Sequence, residues 1–219
     1  MKHAVLFDLD GVLLETEPLK ARAHSAATAH FGGTVAAIFY ATVMGKVHAE
    51  VRRAFMQEGG IAPAPDEYSR VFRAHYQQLV EAEARTCAGV VDLLAALRRD
   101  NFSIGLVTSS ARWMLTGLLD RMFGPDAFDT TVSADDVAAH KPEPDCYLKA
   151  LADLHPDRAV AFEDTVTGVT AASAAGLPVI AVRHTLNAGH DLSGAAKELP
   201  GLQETATVLE TVNEMLSWR

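Results

Sequence analysis

The sequence predicts an α/β fold: a parallel sheet with helices on both faces, interrupted early by an all-helical segment. Three observations carry this. Short apolar runs alternate with helically spaced stretches over most of the 219 residues, and strands of about six residues separated by helices mark βαβ units. From about Glu15 to Thr86 the alternation stops and the pattern becomes almost purely helical. Acidic pairs follow two of the strand candidates, at the carboxyl ends where such sheets place their sites.

In chain order, Ala4–Leu9 is the first strand candidate. The helical stretch after it is punctuated by Gly32-Gly33, Gly45, Gly59-Gly60, Pro63 and Pro65. A connection of roughly 70 residues must carry structure of its own, so it reads as a small inserted domain over residues 15–87, with residues 1–14 and 88–219 forming the α/β core. Val90, Val91, Leu94 and Leu97 then recur at helical spacing. Phe102–Thr108 is the second strand candidate, Trp113–Met122 a helix and Phe128–Val132 a weaker strand. Tyr147–Leu154 and the Ala-rich Val166–Ala175 are helices flanking the strand Ala159–Glu163, and Pro178–Val182 is a further strand.

Composition sets limits. Nineteen basic against 28 acidic residues give a net charge of −9, which argues against nucleic acid or an anionic membrane surface, since both call for a basic footprint. Residues 23–45 and 165–182 carry no formal charge and approach the length of a membrane span. His24, His30 and Gly32-Gly33 interrupt the first, Gly176 and Pro178 the second, so both read as pieces of a soluble fold. The start of the chain lacks the long apolar run of a signal peptide. Cys87 and Cys146 cannot make a disulfide framework, so a reduced, cytoplasmic setting is expected, with the chain a monomer or weak homodimer. The nine histidines show no ligand spacing, so zinc is not expected. The Phe, Trp and Tyr positions read as core; His184, Asn187, His190 and Asp191 follow a strand and either line the cleft or form a solvated loop, the plainer reading.

The candidate chemistry lies in four short segments. Asp8 and Asp10 are an i, i+2 pair before Gly11; in extended chain they point to one side and repel unless a cation joins them. A strand-end turn with a capping Asp is the plainer alternative. Glu163-Asp164-Thr165 precedes Gly168, a glycine that permits close helix-to-sheet approach, and here Asp164 or Thr165 serves equally well as a helix N-cap. Thr108-Ser109-Ser110 precedes a helix, as either an anion site or ordinary caps. Lys141-Pro142 opens a rigid turn, where a lone lysine is normally solvated. Taken together the odds shift. Four acids, a hydroxyl turn and a lysine at the strand ends suit a hard cation such as Mg²⁺ with phosphate oxygens at its open positions, and a carboxylate left over as nucleophile.

Asp8-Leu9-Asp10-Gly11-Val12-Leu13, Thr108-Ser109, Lys141-Pro142 and Glu163-Asp164 with Thr165 and Gly168 stand in one order along the chain. In this the sequence resembles the haloacid dehalogenase superfamily, in its phosphatase and β-phosphoglucomutase branch. The resemblance implies a Rossmann-like core with a helical cap. Asp8 would be the nucleophile and Asp10 the general acid and base. Gly11, Thr108, Ser109 and Lys141 would surround the phosphoryl group. Asp8, the Asp10 carbonyl, Asp164 and Glu163, the last directly or through water, would hold Mg²⁺. An acid at Asp10, where the family's dehalogenases have none, implies phosphate transfer from a small phosphorylated metabolite. Lys46, in the Met44-Gly45-Lys46 loop, would contact substrate from the cap. Lys20 stands where the mutases carry a gating His, and Gly45-Lys46-Val47-His48 lacks their Gly-Val-Ser-Arg run. Both departures favour a phosphatase over a sugar phosphomutase, and the intact Asp8 and Asp10 argue against the other alternative, a non-catalytic phosphometabolite-binding protein.

Overall fold

A computed structural model of the chain describes residues 1–217; Trp218, among the aromatics expected in the core, lies outside them. Six strands form one parallel sheet: β1 (His3–Phe7), β2 (Ser103–Val107), β3 (Thr130–Val132), β4 (Arg158–Glu163), β5 (Val179–Val182) and β6 (Lys197–Leu199), in the order β3-β2-β1-β4-β5-β6. β1 shows why the apolar runs are continuous. Val5 and Phe7 enter one apolar cluster while Ala4 and Leu6 enter a second on the opposite face, the pattern of a strand buried on both sides.

Helices α1 (Glu17–His30), α2 (His48–Glu58) and α3 (Pro65–Glu83), with a short 3-10 turn at Ala37–Thr42, fill the expected insertion. Pro18 and Pro65 sit in the first turns of α1 and α3, where a missing N–H costs nothing. The remaining helices are α4 (Val90–Arg99), α5 (Arg112–Leu115), α6 (Leu118–Phe123), α7 (Asp145–Leu154), α8 (Val166–Ala174) and α9 (Thr205–Ser217). α4 and α9 share the cluster that holds Val5 and Phe7, and it runs on without a break into the inserted helices through Tyr40, Phe55, Tyr68, Phe72 and Tyr76. α7 and α8 cover the other face. The two chain segments that join the insertion to the sheet lie side by side. Leu14 bridges Thr86, the Glu15 N–H donates to Arg85 O at 3.0 Å and the Cys87 N–H to Leu13 O at 2.9 Å.

Three expectations change. The helix expected over Trp113–Met122 breaks into α5 and α6 at Thr116-Gly117, where Gly117 takes φ +72°. The weaker strand shortens to Thr130–Val132. β6 and α9 were not anticipated. β6 is three residues long, two of them charged and exposed, whereas α9 buries Val208, Thr211, Val212, Met215 and Leu216 at ordinary helical spacing. Among the described residues no helix is long and apolar enough to cross a membrane.

Candidate active site

Strand register assembles the first group. Phe7 of β1 pairs with Phe162 of β4, so Asp8 emerges beside Glu163 and Asp164, and the Asp8 N–H donates to Phe162 O at 3.0 Å. The three buried carboxylates offer oxygens that all lie within 4.8 Å of one another. Facing them is Lys141, buried rather than solvated. Its Nζ donates to Asp8 Oδ1 at 2.7 Å, Glu163 Oε1 at 2.5 Å and Val107 O at 3.1 Å. Tyr147 donates its hydroxyl to the same Glu163 oxygen at 2.5 Å.

One ammonium does not balance three carboxylates. Burial pushes the Asp8 carboxyl up to about 8, against the pull of Lys141 and with further repulsion from Glu163 and Asp10. Burial, then the charges of Asp8 and Glu17, hold Asp164 well above the usual carboxylate range. Asp164 Oδ1 is buried without a partner. An orphaned carboxylate oxygen in an all-oxygen donor set that cannot ionise alone fits a hard divalent cation.

The other Asp164 oxygen is held from outside the motifs. The Leu186 N–H donates to His184 Nδ1 at 3.3 Å, so Nε2 carries the ring proton and donates it to Asp164 Oδ2 at 2.8 Å. Burial lowers His184 to about 4 and keeps it neutral. Asn187, fully buried, donates to Asp164 O at 2.9 Å and Val182 O at 2.8 Å, and His190 Nε2 lies 2.8 Å from Ala41 O in the inserted segment. The loop expected to be solvated is therefore a brace for the site, with only Asp191 of the four residues exposed. Gly11 takes φ +83°, and a Cβ there would collide with Asp164 Oδ2; at Gly168 it would collide with the Glu163 carboxylate. The Gly11 of the first motif thus gives Asp164 room.

The Asp8 and Asp10 carboxylates do not come together on one side, contrary to the extended-chain expectation, but pair with different lysines. The chain turns after Asp8, and the Asp10 carboxylate leaves the cluster for a second one. It pairs with Lys20 Nζ at 2.6 Å and accepts from Ser110 Oγ at 2.7 Å, from Thr108 Oγ1 at 3.4 Å and from Thr16 Oγ1. Burial alone would raise the Asp10 carboxyl, but the charge of Lys20 with these hydrogen bonds outweighs it and holds the group below its usual range. Any share of Asp10 in holding a metal falls to its main-chain carbonyl. Thr108 and Ser110 do not cap α5, which begins at Arg112 with no side-chain cap; the Ser110 N–H donates to Thr108 Oγ1 at 3.0 Å. Thr165 does cap α8, accepting from the Gly168 N–H at 3.1 Å.

Lys20 is the principal site residue to which the sequence assigns no role. Thr16, Lys20 and His24 recur every four residues, Glu17 and Lys20 stand one turn apart, and all four are buried. Between the strand ends and the helices lies a narrow, partly open cavity of about 30 Å³, lined by Asp8, Asp10, Thr108, Ser109 and Lys141 below and by Glu17, Lys20, Tyr40, Lys46 and His48 above. That is room for about one water. Lys46 lines it from an otherwise exposed position.

Residues 5–182 match the model of the haloacid dehalogenase-like hydrolases. The chain is 34% identical over 227 residues to protein CbbY of Cereibacter sphaeroides, covering 92% of this chain and 96% of that one. It is 30% identical over 214 residues to a phosphorylated carbohydrates phosphatase of Thermotoga maritima, covering 96% and 99%. The crystal structure of CbbY from Rhodobacter sphaeroides in complex with phosphate superposes with a TM-score of 0.81 at 31% identity, over 93% of this chain and 96% of that one.

Proposed function

Because the chain belongs to the haloacid dehalogenase-like hydrolase family, we propose that it hydrolyses a small phosphomonoester, a sugar phosphate or similar metabolite, through a phosphorylated Asp8. The observation that carries this is the buried Asp8, Glu163 and Asp164 set with Lys141 across it and one Asp164 oxygen left without a partner. Asp8, Asp164, Glu163 and the Asp10 carbonyl would hold Mg²⁺, which when bound supplies positive charge to the phosphoryl oxygens and lets Asp8 ionise.

An ionised Asp8 oxygen attacks the phosphorus and the ester oxygen leaves, taking a proton from Asp10. Asp10 then removes a proton from the water that attacks the aspartyl phosphate, releasing phosphate and restoring Asp8. Lys141, Thr108 and Ser109 orient the phosphoryl oxygens, and Lys141 is fixed for this by Glu163 and Val107 O. Once Asp10 has given its proton to the ester oxygen, Lys20 stabilises the resulting anion, the form the water step needs. A cavity of about 30 Å³ admits no metabolite. Residues 15–87 therefore act as a cap that opens about the paired segments near Leu14 and Thr86. The relatives named phosphorylated carbohydrates phosphatase and hexitol phosphatase B support the substrate class.

Phosphate release from an aryl phosphate tests the reading. It is expected with Mg²⁺ and lost with EDTA or Asp8→Asn; turnover indifferent to the substitution overturns it, and, with a sugar monophosphate as substrate, isomerised product with little free phosphate makes the chain a mutase.

A further inference from the structure

A second cavity reaches the acid cluster from another side. It measures about 330 Å³ against about 30 Å³ for the substrate cavity, and Gly11, Glu15, Glu17, Arg183, His184 and Leu186 are among the residues that line it. Glu17 lines both cavities, and its Oε2 is a buried atom without a partner. The residue is only 3% exposed. Buried polar atoms are almost always hydrogen-bonded, so this orphaned acceptor points to a guest that brings donors, as the water shell of a cation does.

Asp164 stands immediately behind the second cavity. His184 Nε2 reaches Asp164 Oδ2 at 2.8 Å, and a Cβ on Gly11 would lie 2.3 Å from the same oxygen and 2.8 Å from His184 Nε2. The wall there is one imidazole edge and a glycine without a side chain. The charge of Glu17 is felt at Asp164. The substrate cavity offers a cation less. Of the clustered acids only Asp8 lines it, while Glu163 and Asp164 are fully buried. Lys20, Lys46 and Lys141 line it as well, a set suited to phosphate rather than to a dication. No lysine lines the second cavity, and its Arg183 is paired with Glu198 at 2.7 Å. Mg²⁺ sheds its waters reluctantly. A space for about one water does not admit the hydrated ion, whereas one of about 330 Å³ does.

We propose that the cavity outside His184 is the entrance for the metal: Glu15 and Glu17 collect a hydrated divalent cation there, and the His184 ring is the door to Asp164, so that metal and phosphate ester reach Asp8 from different sides. His184 then does more than brace Asp164, because its ring turns aside to let an ion pass. This rests on the metal site of the phosphatase reading above. Uptake of Mn²⁺, a hard cation that takes the same octahedral oxygen donors, reports that site without any turnover.

The test is stopped-flow uptake and release of Mn²⁺ by the full chain, read with a fluorescent divalent-cation indicator. His184→Ala is expected to raise the association and dissociation rates together, each by about 10-fold or more, as removal of a conformational gate does. A side chain that only braced Asp164 would change dissociation alone. Glu15→Lys, which sets a second cation beside Arg85 at the surface, is expected to slow association by roughly 2- to 10-fold at low salt, with the difference closing at high salt. Lys46→Glu, on the substrate cavity, is expected to leave association within about 2-fold of wild type. Association unmoved in a folded His184→Ala, or raised beyond that margin by Lys46→Glu, overturns the entrance and leaves the phosphatase reading standing. If His184→Ala does not fold, association unmoved in Glu15→Lys at low salt overturns it in the same way. A wild-type chain that takes up no Mn²⁺ overturns both.

Discussion

The strand ends and the helical layer above them solve opposite problems. At the strand ends, strand register sets Asp8 beside Glu163 and Asp164, with Lys141 packed across them, and Asp8 and Asp164 are held above the usual carboxylate range so that added positive charge favours their ionisation. In the helices, beyond the buried Glu17 and Lys20 of α1, the imidazoles of His24 and His48 are uncharged rings set among aromatics. His24 stacks 4.0 Å from Phe72 and 4.9 Å from Phe55, with Nδ1 3.3 Å from the Tyr68 hydroxyl. A charge-dense, strand-fixed site suits one invariant step. On the proposed reading, the apolar layer above it suits discrimination among leaving groups.

The comparison can be broken from either side. The largest effect is expected at Asp8, where Asp8→Asn should cut phosphate release by at least about 10⁴-fold. The same substitution should leave the urea midpoint of the metal-free protein unchanged or higher, since it removes one of the mutually repelling acids. Lys141→Met strips the ion pairs of both Asp8 and Glu163. Chemical denaturation should show a loss of about 3–5 kcal/mol, because uncompensated charge is left buried.

Acid sharpens the contrast on the helical side. Burial depresses His24 well below 6.5 and His48 to about 4. The folded state binds the neutral rings, so their contribution is complete above pH 6.5 and is lost as pH falls from 6.5 toward 4. For His48 alone that is about 3 kcal/mol at most. Thermal melting across this range should fall less steeply in His48→Phe. The smallest effect is expected where the two regions touch. Lys20→Met frees the Asp10 carboxylate from its ion pair and should lower kcat by roughly 10- to 100-fold, with KM changing less.

The same contrast separates what could be read in the sequence from what could not. Strands buried on both faces announce themselves as apolar runs, and chemistry placed at their ends can be found by looking there, which is how Asp8, Thr108, Lys141, Glu163 and Asp164 emerge. Lys20 and Glu17 belong to a helix whose face mixes Leu19, Ala21 and Ala23 with buried polar residues, and only the fold shows that this face closes on Asp10. His184 and Asn187 sit in a loop without periodicity, so nothing local marks them as braces of Asp164. β6, with Lys197 and Glu198 exposed on a sheet edge, is too short and too polar to signal a strand.

The central claim is that the Asp8 carboxylate becomes covalently phosphorylated. The direct measurement is to quench the enzyme during turnover of an aryl phosphate with Mg²⁺, reduce it with borohydride and map the peptides by mass spectrometry. An acyl phosphate at Asp8 is reduced to a primary alcohol, so the account predicts homoserine at that position and at no other acid. Phosphate released at full rate with Asp8 unreduced, or reduction found at Asp10, Glu163 or Asp164 instead, contradicts it.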